Sequence, residues 1–100
     1  MKTTIQEVNG SIVATLEGRL DTSATLETEK ALHPLYNAAN QTIILDCKDL
    51  DYISSSGLRL FITLLKKAKH NNCRIKIHNM NDEVRQVFIM TGFINSFEME

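Results

Sequence analysis

Short alternating and periodic runs of apolar residues divide this chain into elements almost from its first residue. Ile5-Gln6-Glu7-Val8 and Ser11-Ile12-Val13-Ala14-Thr15-Leu16 flank Asn9-Gly10. Asn-Gly supplies the positive φ angles of a tight hairpin turn, so the pattern predicts two antiparallel strands. Ile12, Ala14 and Leu16 then share one face of the second. Gly18-Arg19-Leu20-Asp21 leads out of the sheet, and Thr22 or Ser23 can cap a helix running to about Asn37. Leu32, Leu35 and Ala39 give this helix an apolar stripe, and Pro34 is expected to kink or split it near His33. Thr42-Ile43-Ile44-Leu45-Asp46 is a continuous apolar run, expected to be a central strand buried on both faces. A polar loop is expected from Cys47 to Ser56.

From Gly57 to about His70 the period becomes helical. Leu58, Phe61, Ile62, Leu65 and Ala68 fall on one face, and Arg59, Thr63, Lys66 and His70 on the other. Lys66, Lys67 and Lys69 crowd its last turns, where the helix dipole favours cations. Asn71-Asn72 makes a turn. Cys73, Ile75 and Ile77 then alternate with Arg74, Lys76 and His78 as a strand with one wet face. Asn81 can cap a third helix carrying Val84, Val87 and Phe88, which Thr91-Gly92 ends with a left-handed glycine. A last short strand is expected within Phe93 to Glu98. Strands joined through helices run parallel with right-handed crossovers. The expected class is therefore α/β: a mixed β-sheet opened by an antiparallel hairpin, with helices packed against it.

The 100 residues suit one domain spanning 1–100, and 43% hydrophobic residues suffice for a core. Eleven basic and twelve acidic residues leave a formal charge of -1, which argues against nucleic acid as a partner. Cys47 and Cys73 have no metal-ligand spacing, and His33, His70 and His78 form no cluster with them; both cysteines are expected to be buried and apolar. Met1-Lys2-Thr3-Thr4 has no apolar signal run and no segment is long enough to enter a bilayer, so a reduced cytoplasm is expected.

Ile43 to Leu58, IILDCKDLDYISSSGL, carries the candidate chemistry. A strand ends at Asp46, Asp49 and Asp51 follow, and three serines lead into Gly57 at a helix start. That start has unpaired N–H groups and a partial positive charge, so it accommodates an anion such as a phosphoryl group on Ser56. Gly57 would let a phosphate or another protein approach the backbone. On spacing alone the plainer reading is favoured, that Ser56 only caps the helix. Asp21, Asp46, Asp49 and Asp51 lack the spacing of a calcium loop. Ser56 lies in no Gly-x-Ser-x-Gly elbow, and no Walker-type loop is present. No enzyme activity, metal or cofactor is expected.

The same stretch resembles the signature of STAS domains in Asp46, Leu50, Tyr52, Ile53, Ser54-Ser55-Ser56 and Gly57-Leu58. Gly18-Arg19-Leu20-Asp21, Val87-Phe88 and Thr91-Gly92-Phe93 resemble the family's flanking features in the same order. Within that family the chain resembles the bacterial anti-sigma factor antagonists. The resemblance implies a partner-switching cycle. The unmodified domain binds an anti-sigma factor serine kinase and frees the sigma factor; the kinase phosphorylates it; a phosphatase resets it. It also implies phosphorylation at Ser56, directly before Gly57-Leu58, with Ser55 the second choice. The implied partner surface is Asp21, Ser54, Ser55, Ser56, Gly57, Leu58 and Arg59, with Asp21 gripping the kinase. Many antagonists have Asp where this chain has Ser54. STAS domains also serve as accessory subunits of ABC-type phospholipid transporters, which is the rival reading.

Overall fold

A computed structural model describes every residue from Met1 to Glu100. Strands β1 (Lys2–Val8) and β2 (Ser11–Leu20) form the hairpin, with Asn9 at φ 52° and Gly10 at φ 83°, as the Asn-Gly turn requires. A 3-10 turn (Thr22–Ala24) runs into α1 (Thr25–Tyr36). Then come β3 (Thr42–Ile53), α2 (Ser55–His70), β4 (Arg74–His78) and α3 (Asp82–Thr91). A second 3-10 turn (Ile94–Ser96) occupies the middle of the segment expected to be a strand within Phe93 to Glu98, and β5 (Glu98–Met99) begins only at its last residue.

The sheet order is β1-β2-β3-β4-β5, with only the hairpin antiparallel. Each new strand therefore joins on the same side of the last. Right-handed crossovers repeated in one direction bring every connecting helix to one face. The burial pattern follows. Ile12, Ala14 and Leu16 of β2, Ile43, Leu45 and Cys47 of β3, and Ile75 and Ile77 of β4 are buried, while Val13, Thr15, Ile44, Asp46 and Lys76 between them are only half-buried. β3 is central, as expected, but it is covered on one face instead of two. The open face carries ion pairs, Lys76 Nζ to Glu100 at 3.0 Å and Arg74 with Glu98.

The expected loop after Asp46 is a correction of another kind, because β3 continues to Ile53. The register shifts twice: Thr15 pairs with Asp46 and Glu17 with Asp49, then Gly18 pairs with Leu50 and Arg19 with Tyr52. Each shift places one extra residue in β3, a β-bulge. Buried positions consequently recur at Cys47, Leu50 and Ile53, every third residue, and the two-residue period disappears from the sequence.

Pro34 does not split α1, which runs continuously to Tyr36. The proline lies in the last turn, and it and Lys30, whose carbonyl its missing N–H would have met, are both exposed to water. Leu32 and Leu35 are buried as expected, whereas Ala39 is exposed and Ala38 takes its place. Leu60 and Leu64 widen the apolar face of α2. Phe61, Phe88 and Phe97 meet edge to face, with centroids 5.6–6.4 Å apart, and fasten α2, α3 and the C-terminal segment together. The Asn81 cap and Gly92 at φ 82° are where the sequence put them.

Candidate functional site

β2 and β3 end side by side, Leu20 paired with Ile53, so the chain leaves the sheet twice at one place. The amide of Ser54 donates to the Leu20 carbonyl at 2.9 Å and ties the two exits together. From the first exit, the Asp21 carboxylate accepts from the Ala24 amide at 3.0 Å and the Ser23 hydroxyl at 2.8 Å. These bonds hold its carboxyl below its ordinary range, the Ser23 bond contributing most. From the second exit, Ser54 caps α2, its Oγ accepting from the Gly57 amide at 3.1 Å. Capping therefore belongs to Ser54, and the helix opens at Ser55, two residues before the glycine that was expected to open it.

Three hydroxyls join the two helix starts. Ser54 Oγ lies 3.0 Å from Ser56 Oγ, and Ser56 Oγ lies 3.0 Å from Thr25 Oγ1 at the first residue of α1. Thr25 also donates to the Asp21 carbonyl at 3.0 Å. Ser56 is half-buried within this chain of bonds. Ser55, the first helical residue, is exposed and its hydroxyl takes part in none of them. No acidic side chain occupies the first turn of α2.

The residues expected to face a partner divide into two groups. Ser55 and Arg59 are exposed, and Asp21 and Ser56 are half-exposed. Ser54, Gly57 and Leu58 are buried and build the patch from beneath. Gly57 in particular does not serve external approach. A Cβ there would lie 2.8 Å from Leu20 Cγ and 3.0 Å from Ile53 Cγ1, so the glycine lets α2 press against the chain's own strand ends.

Two features had no local signal in the sequence. Thr25 lies 31 positions from Ser56, and only the adjacency of the two strand exits brings them together. Arg19 stacks on Tyr52, its guanidinium carbon 4.4 Å from the ring centroid, beside a cleft of about 190 Å³ lined by Asp51, Tyr52, Ile53, Glu83, Val84 and Val87.

Asp21 aside, the groups capable of covalent or metal chemistry stand apart from the serines. Asp21, Asp46, Asp49 and Asp51 do not converge, and no three acidic, histidine or cysteine side chains could hold a metal ion together. Burial pushes the Cys47 thiol up to about 12, leaving it inert at neutral pH. His33 packs on Tyr36 and His78 faces Glu100. No helix is long and apolar enough to cross a membrane.

Comparison with known proteins agrees with this architecture. The model of the STAS domain family matches residues 2–100. A putative anti-sigma factor antagonist of Bordetella bronchiseptica, BtrV, is 29% identical over 97 residues, which cover 97% of this chain and 84% of the relative. The unphosphorylated anti-sigma factor antagonist SpoIIAA shares the fold at 22% identity and a TM-score of 0.78, over 99% of this chain and 88% of its own. Its phosphorylated form, from Bacillus, superposes with a TM-score of 0.74 at 22% identity, over 99% of this chain and 91% of its own.

Proposed function

The chain belongs to the STAS domain family, and on that premise we propose that it is an anti-sigma factor antagonist, docked to an anti-sigma factor serine kinase when unmodified and released by phosphorylation at the start of α2. We assign the phosphate to Ser55 in preference to Ser56. The observation that carries the reading is the contrast between an exposed, unbonded hydroxyl at Ser55 and a half-buried, doubly bonded one at Ser56. In the transfer, Ser55 Oγ attacks the γ-phosphorus of ATP, the bond to the β–γ bridging oxygen breaks, ADP leaves, and the hydroxyl proton passes to a base on the kinase.

The product suits the fold and not the complex. A phosphoserine brings a charge of about -1.5 to -2, which the partial positive charge of a helix start accommodates. In the complex, however, the same site must face the phosphates of the kinase's nucleotide for transfer to occur. Phosphoserine opposite ADP sets anion against anion with water excluded. A loss of about 2–3 kcal/mol in docking lowers affinity roughly 30- to 150-fold, enough to free the kinase for another partner. A phosphatase that hydrolyses the ester restores the docking state. The chain itself contributes a surface and a hydroxyl in this cycle, with residues 1–100 acting as one cytoplasmic unit.

Incubation with the cognate kinase and ATP, followed by intact mass and peptide mapping, tests the assignment. The wild type and Ser56→Ala should each gain one phosphate and Ser55→Ala none. A phosphate on Ser55→Ala equal to that of the wild type refutes the site.

A further inference from the structure

We infer that Thr25 decides which of the two neighbouring serines is open to modification, by holding the Ser56 hydroxyl as a hydrogen-bond donor. This rests on the phosphorylation reading above. Each hydroxyl has one proton to give. Thr25 gives its proton to the Asp21 carbonyl, 3.0 Å away. In the 3.0 Å contact between Thr25 and Ser56, Ser56 must therefore be the donor. Ser56 then has no proton left for Ser54, so in their 3.0 Å contact Ser54 donates. Ser54 in turn accepts from the Gly57 amide. The donors point one way, from the Gly57 amide through Ser54, Ser56 and Thr25 to the Asp21 carbonyl, and a chain of aligned bonds is mutually reinforcing.

This arrangement removes both things a phosphoryl acceptor needs at Ser56. Its proton is directed into the protein, away from any external base, and its oxygen already accepts from Ser54. Turning the side chain outward breaks its bond to Thr25 and strands the Ser54 proton in a buried position. At about fivefold per neutral hydrogen bond, the two together disfavour the outward rotamer by roughly 25-fold. Ser55 meets no such barrier. Thr25 touches neither nucleotide nor phosphate; it is a positioning residue acting through Ser56.

The test compares Thr25→Val, which keeps the shape and loses the hydroxyl, with Thr25→Ser, which restores it. Phosphopeptide mapping after reaction with the cognate kinase should find Ser55 alone in the wild type and in Thr25→Ser. In Thr25→Val, which removes one of the two bonds holding Ser56, the share on Ser56 should rise about fivefold. An unchanged distribution in Thr25→Val overturns the inference. A kinase-free measurement separates this from failure of the switch itself. In the wild type, NMR should detect a slowly exchanging Ser56 hydroxyl proton coupled through space to Thr25, absent from Thr25→Val. Should the kinase modify none of the three proteins, the switch reading falls and the selecting role falls with it. The hydroxyl proton then still decides whether Thr25 fixes Ser56, and a freely exchanging proton in the wild type overturns that as well.

Discussion

Helices α2 and α3 begin in the same way and differ in what fills their first turn. Each has an extended capping residue, Ser54 at φ -86° and ψ 172° and Asn81 at φ -72° and ψ 167°, whose side chain accepts from the amide three residues on. Each cap is moored to the sheet, Ser54 through its amide to Leu20 and Asn81 through its side chain to the Leu50 carbonyl at 2.9 Å. In α3 the next residues are Asp82 and Glu83, so the partial positive charge of that helix start is already answered. In α2 they are Ser55, Ser56 and Gly57, and the charge is open. An added phosphate is therefore welcome at one helix start and repelled at the other. On the proposed reading, a hydroxyl becomes a switch here because an uncompensated helix start lies beneath it; the cap alone, which both helices have, does not make one.

Filling the first turn of α2 breaks the contrast most directly. Ser55→Asp gives α2 the charge that Asp82 gives α3. It should abolish modification at that position and weaken kinase docking by about tenfold, read by calorimetry, while leaving the melting temperature level or slightly raised. Next comes Gly57→Ala, which has no counterpart in α3. The helix-propensity gain of at most about 1 kcal/mol is outweighed by pressing a methyl group into Leu20 and Ile53, so a net loss of roughly 1–2 kcal/mol should appear in urea unfolding. The caps themselves should differ less. Ser54→Ala should cost about 1 kcal/mol, and Asn81→Ala somewhat more because the Leu50 carbonyl also loses its donor. The smallest effect is in acid. Asp21 has a lowered pKa in the folded state, so its ionised form adds stability above the ordinary carboxylate range, and that contribution disappears as the pH falls through its folded value. Asp21→Asn should slightly flatten the loss of melting temperature below about pH 4.

Local chemistry in the sequence located the Asn9-Gly10 hairpin, the Asn81 cap and the Gly92 stop. Each is written in one or a few adjacent residues. What escaped depends on partners far along the chain. The two bulges that carry β3 through Lys48-Asp49 are visible only against β2. The one-sided covering of Ile44 follows from the direction in which strands are added, which no single strand encodes. Within the serine turn, composition shows three hydroxyls but not their division of labour. Ser54 caps, Ser56 bonds to Thr25 and Ser55 is left free because α1 starts beside α2. Gly57 looked like an opening for a partner and proves to be a close contact within the chain.

The most direct test of the switch is the affinity of the cognate anti-sigma factor kinase, loaded with ADP, for this protein carrying phosphoserine at position 55 and for the unmodified chain. Calorimetry should show affinity falling at least about 30-fold on modification, with the melting temperature of the free protein nearly unchanged. Equal affinities would contradict the account and favour a permanent docking subunit, the role a transporter accessory domain would have.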